Sequence, residues 1–178
     1  MLSTLPVIAA PEHLPPAPDG FSWYTSKNGV GTFLKPDGWH VSEQTKGKTS
    51  AVFISRENMK EHGKPIVNFG VNQISDFSKN SSIKASQYAK LFIERIIKKH
   101  EVISSGVIEG DGYNMYAVRI KKNKDGVETI SHHVAAGMND RDKLYLISFQ
   151  APASEWNAYD QTAGRLFSYF ILGSHGSR

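Results

Sequence analysis

The chain has 178 residues, 39% hydrophobic and 21% charged, with no cysteine and a formal net charge of +4. That length suits one domain that buries enough surface to fold without metal or disulfide staples. The absence of cysteine excludes disulfide scaffolds, thiolate-held zinc, iron–sulfur clusters, cysteine nucleophiles and a lipid-modified cysteine anchor, and no apolar run reaches the roughly 18 residues needed to cross a bilayer.

In chain order, Met1–Ala10 (MLSTLPVIAA) is apolar and ends in small residues, with Val7-Ile8-Ala9 in the pattern of a signal cleavage site. Residues 1–10 therefore read as the remnant of an export signal. Export means the periplasm, or the thylakoid lumen in a photosynthetic source; without a signal the chain stays cytoplasmic. Residues 11–20 hold four prolines in ten positions and read as an extended linker. The folded domain is expected over 21–173, followed by a tail at 174–178.

Strand signals dominate the first half. Gly31–Leu34 precedes a Lys35-Pro36-Asp37-Gly38 turn. Trp39–Gln44 and Ala51–Ser55 follow as strands. Ile66–Ile74 alternates Val67, Phe69 and Val71 against Asn68, Gly70 and Asn72. Ser82–Lys99 is a helix with Ser82 as its N-cap. Its apolar face is Ala85, Tyr88, Ala89, Phe92, Ile93 and Ile96, and Lys84, Gln87, Glu94, Arg95 and Lys98 lie opposite. Val102–Glu109 and Tyr113–Lys121 flank an Asp111-Gly112 turn. Val127–Met138 and Lys143–Ala151 form a further hairpin across Asn139–Asp142. Connections this short pair strands antiparallel. Pro152 stops the last strand, and Ser154 caps a final helix, Glu155–Ile171, whose stripe is Trp156, Tyr159, Ala163, Leu166, Phe167 and Phe170. Its outward residues are Asn157, Gln161, Arg165 and Ser168. These elements make an α+β domain, with two main helices on an antiparallel sheet of about six to eight strands.

Two stretches carry a family resemblance. Gly31-Thr-Phe-Leu-Lys-Pro-Asp-Gly-Trp39 resembles the early hairpin of PsbP-like domains. Asp142-Lys-Leu-Tyr-Leu-Ile-Ser-Phe-Gln-Ala-Pro152, followed by Trp156 and by Ser168-Tyr169-Phe170, resembles that family's last strand and helix. The resemblance covers about Gly20 to Leu172. It implies an α-β-α sandwich, a fold shared with a Ran-binding nuclear-import factor and with bacterial exported domains. It also implies binding or assembly rather than catalysis, and it transfers no functional residue. No counterpart of the family's photosystem-docking N-terminal segment is visible in Pro11–Gly20.

Catalytic motifs are absent: no G-x-S-x-G, S-x-x-K, Gly-rich phosphate loop or H-E-x-x-H occurs. No enzyme activity and no cofactor are expected. His132 and His133 are adjacent on a strand and project to opposite faces. His132 shares its side with Ile130, Val134, Ala136 and Met138 and reads as a hydrogen-bonded core residue. His133 lies with Thr129 and Ser131, is expected to be exposed, and is the one candidate for a divalent-metal site.

The basic excess is local. Residues 1–78 carry seven Lys+Arg and seven Asp+Glu, residues 79–124 carry ten and four, and residues 125–178 carry four and six. The middle segment alone holds +6. Leu91 lies at the centre of the helix's polar face among these charges. The candidate partner-binding residues are therefore Lys84, Leu91, Arg95, Lys98, Lys121 and Lys122. The expected function is an exported, monomeric, non-catalytic domain that docks on a protein partner with an acidic surface. The alternative is a small-ligand or divalent-metal-binding domain of the same fold. Nucleic acid is a weaker candidate, because the excess is modest and has no interleaved exposed aromatics.

Overall fold

The computed structural model describes residues 14–62, 65–110, 113–124 and 126–172. The export-signal segment 1–10, the tail 174–178 and the Asp111-Gly112 turn lie outside them. Among the described residues, ten strands and three α-helices follow in chain order. They begin with β1 (Phe21–Thr25), β2 (Gly31–Pro36), β3 (His40–Lys46), β4 (Thr49–Ser55), the single-turn α1 (Met59–His62) and β5 (Asn68–Ser75). Next come α2 (Ala85–Ile97), β6 (Glu101–Gly110), β7 (Tyr113–Lys124), β8 (Val127–Met138) and β9 (Lys143–Pro152). The chain closes with α3 (Trp156–Ser168) and β10 (Phe170–Leu172).

Seven strands form one antiparallel sheet in the order β3-β4-β5-β9-β8-β7-β6, and three form a second in the order β1-β2-β10. The strand period of two sorts the large sheet into two cores. On one face Val52, Ile54, Phe69, Val71, Val134, Ala136, Ile147 and Phe149 pack against Phe33 and Leu34 of β2 and Trp156, Ala163 and Leu166 of α3. On the other, Val118, Ile120, Ala135 and Leu144 meet Ala85, Ala89 and Ile93 of α2. The α-β-α sandwich expected from the sequence is present, and one outer layer combines a helix with the small sheet.

Several local features depart from the sequence expectations. β1 and α1 have no counterpart among them. The first long helix begins at Ala85, not Ser82. Ser81 instead makes a local turn, its hydroxyl accepting from the Ile83 N–H at 3.3 Å and donating to the Ile83 carbonyl at 3.1 Å. The Lys84 N–H then donates to Gln87 Oε1 at 3.0 Å and caps the first turn. Residues 153–155 form a 3-10 turn with no capping bond from a side chain, so Ser154 is not the cap of the last helix.

The last helix also stops at Ser168. Phe170, expected on its apolar stripe, lies in β10 opposite Phe33, and Leu172 lies opposite Gly31. Gly31 permits that pairing, because a Cβ there would stand 2.4 Å from the Ile171 carbonyl oxygen. Arg165, expected to face solvent, stacks over Phe21 at 5.1 Å and donates to the Asp19 carbonyl at 3.4 Å.

Candidate functional site

The basic helix is set on the sheet by backbone approach. β8 passes beneath the start of α2 at Gly137, where a Cβ would lie 2.3 Å from both the Ala85 carbonyl carbon and the Ser86 nitrogen. Asn139, in the β8–β9 turn, accepts from the Ser86 N–H at 3.1 Å and donates to the Ser86 hydroxyl at 2.9 Å. In the same turn Asp142 accepts from the Ser78 N–H at 2.8 Å and from its hydroxyl at 2.7 Å. The Asn139 amide and the Asp142 carboxylate of this hairpin are thus structural, and they fix the segment that leads into α2.

With Ala85, Ala89 and Ile93 buried, the 3.6-residue period turns Lys84, Leu91, Arg95 and Lys98 outward in one row. All four are exposed, Leu91 by 40%. Leu91 floors a shallow recess of about 340 Å³, lined also by Ile83, Gln87, Lys90 and Glu94. Lys90 and Glu94 approach to 4.0 Å and neutralise one another. Among the described residues Lys84, Arg95 and Lys98 form no ion pair.

Arg95 and Lys98 lie at the C-terminal end of α2, where cations favour the helix through its macrodipole. Lys84 lies at the opposite end, where the dipole disfavours a cation, so helix stability does not account for it. The sequence did not single out Ile83 as part of this surface. Its signal is the row 83, 87, 91, each four residues apart on one side of the helix.

β7 does not bring its two lysines together. Lys122 shares the α2 side of the sheet with Val118 and Ile120 and donates to Gln150 Oε1 at 3.5 Å. Lys121 projects to the other side and pairs with Glu128 at 3.0 Å. Strand alternation separates them, and neither joins the row on α2.

The histidines also part company. His132 lies with Ile130, Val134 and Ala136 on the α3 side, stacked on Phe167 with ring centroids 4.5 Å apart. Burial holds its imidazole down at about 4, with nearby Arg119 acting in the same direction and Asp160 against it. His133 is half-buried, and burial, then Lys122, His132 and His100, hold it at about 4 as well. A low proton affinity leaves a neutral nitrogen for a metal. Among the described residues, however, no group of three or more His, Cys, Asp or Glu side chains could hold one.

A second recess, of about 530 Å³, opens where the β7–β8 hairpin meets the end of β9, lined by Gly126, Val127, Glu128, Pro152, Ala153 and Ser154. It holds one carboxylate and no described cation.

The PsbP family profile matches residues 19–170, most of the chain. The chain belongs to the PsbP family. Solved structures agree with that assignment at the level of the fold. The solution structure of cyanobacterial PsbP (CyanoP) from Synechocystis sp. PCC 6803 superposes with a TM-score of 0.52 at 13% identity, covering 93% of this chain and 98% of that one. The Ran-binding protein Mog1p of Saccharomyces cerevisiae gives 0.53 at 11% identity, covering 85% and 95%. No curated protein sequence matches. In this PsbP-family chain, among the described residues, no helix is long and apolar enough to cross a membrane.

Proposed function

We propose that this PsbP-family domain is a non-catalytic binding module that docks on an acidic protein surface through the outer face of α2. The contact residues are Lys84, Leu91, Arg95 and Lys98. The carrying observation is the row itself: an exposed leucine lining a shallow recess, flanked by three cations without ion pairs among the described residues. Leucine supplies apolar area at the centre of such a contact, the lysine and arginine stems add to it, and their charges steer an acidic partner. A structural neighbour of the same fold is a Ran-binding protein, which supports protein recognition as the use of this scaffold. The apolar leader ending in Val7-Ile8-Ala9 supports a place of action outside the cytoplasm.

Affinity capture from native envelope extract, followed by quantitative binding of the protein recovered, tests the surface. Leu91→Asp and Lys98→Glu should each weaken binding about tenfold or more while leaving the melting temperature unchanged, and wild-type affinity should fall as salt rises. Equal binding by both variants and wild type would assign the partner to another face.

A further inference from the structure

Strand β6 stands at the end of the seven-stranded sheet, and every residue from Glu101 to Ile108 is exposed. Val102, Ile103, Val107 and Ile108 are exposed by 38%, 47%, 56% and 59%. Soluble proteins ordinarily shorten such an edge, place lysine or proline on it, or bend it with a bulge. This edge is ten residues long and contains neither lysine nor proline. One bulge occurs, at its entry: Val102 lies opposite Ile120 and Ser104 opposite Arg119, leaving Ile103 as the inserted residue. From Ser104 to Ile108 the register with β7 is unbroken.

The sequence of this edge reads nearly the same in both directions. About Ser105, Ser104 mirrors Gly106, Ile103 mirrors Val107, Val102 mirrors Ile108 and Glu101 mirrors Glu109. A closed twofold interface sets residue i against residue j and j against i, so about Ser105 this edge meets itself apolar against apolar and small against small, with Glu101 set against Glu109 only at the two ends. The geometry points to a homodimer in which β6 pairs antiparallel with β6 of a second copy, centred on Ser105, so that two seven-stranded sheets join edge to edge.

In that register Ile103 of each copy faces Val107 of the other, giving two apolar cross-strand pairs. Small residues, Ser104 and Gly106, meet between them. Open backbone N–H and C=O groups supply the ladder. A single strand pair buries less than the roughly 1,200 Å² of a standard stable interface, so the dimer forms at micromolar concentrations. This replaces the monomer expected from the sequence. It leaves the outer face of α2 free for a partner.

Sedimentation velocity of the full chain at physiological salt, from about 1 to about 200 μM, should show a monomer–dimer equilibrium. Ile103→Lys and Val107→Lys, both at exposed positions, should each weaken it about tenfold or more with the melting temperature unchanged. The register is read by single cysteines in a chain that has none of its own. Antiparallel neighbours lie about 4.5–5.5 Å apart at Cα, within disulfide reach. Ser105→Cys should therefore oxidise to a covalent dimer. Ser104→Cys alone should not, but it should cross-link when mixed with Gly106→Cys, a position with open space around it. A chain that stays monomeric over the whole range, a dimer that survives both lysines, or a Ser104→Cys variant that cross-links as readily as Ser105→Cys would each overturn the proposal.

Discussion

Gly137 of β8 lies directly under Ala85 of α2, close enough that a side chain on Gly137 would stand 2.3 Å from the Ala85 carbonyl carbon. The obstructing atoms are backbone, so no rotamer change relieves the clash. Gly137→Ala should therefore lift the first turn of α2 and destabilise the fold by about 2–3 kcal/mol, read as a lower urea midpoint at constant m. A loss within about 0.5 kcal/mol, the range of an ordinary surface change, would show that α2 does not rest on β8 there.

The start of α3 is tied to the end of β4 by Arg56, just beyond that strand. Its guanidinium donates to Glu155 Oε2 at 2.7 Å and to the Tyr159 hydroxyl, and lies 5.5 Å from the Tyr159 ring centre. The side chains are roughly a third exposed or more, so solvent screens part of the attraction. A double-mutant cycle with Arg56→Met and Glu155→Gln should return a coupling of about 1 kcal/mol. A coupling near zero would leave α3 held by its other contacts, the apolar packing of Trp156 and Leu166 foremost.

Stability should fall with acid in a defined window. Burial holds both His132 and His133 at about 4, against 6.5 in an unfolded chain. Between those values the unfolded state binds protons that the folded state refuses. The contribution is therefore complete above about pH 6.5, declines as pH drops towards 4, and is lost below it. Each ring is worth of the order of 2 kcal/mol after allowance for its partial exposure. His132→Phe keeps an aromatic ring against Phe167 and removes one titration. Its unfolding free energy should slope less steeply between pH 6.5 and 4 than that of wild type. An unchanged slope would mean that His132 takes up its proton in the folded state as readily as in the unfolded one.

The candidate row on α2 is largely legible in the sequence. Lys84, Leu91, Arg95 and Lys98 follow from the helical period, which depends only on local geometry. Period two likewise separates Lys121 from Lys122 and His132 from His133, and it placed Val67, Phe69 and Val71 together in the core. Where local chemistry misled, a competing contact prevailed. The apolar run Phe170-Ile171-Leu172 suits a helix stripe as well as a strand, and pairing with β2 at Gly31 decided the matter. Ser82 is a good cap by type, but Ser81 had already taken the turn.

By itself, then, the sequence determined the α+β class, the antiparallel hairpins, the two main helices and the concentration of basic charge between residues 79 and 124, because each depends on contacts between near neighbours in the chain. Only the tertiary structure decided that β6 is an open edge and that Gly137 seats α2. Those features depend on strand order in the sheet, and strand order is set by pairings between segments far apart in sequence.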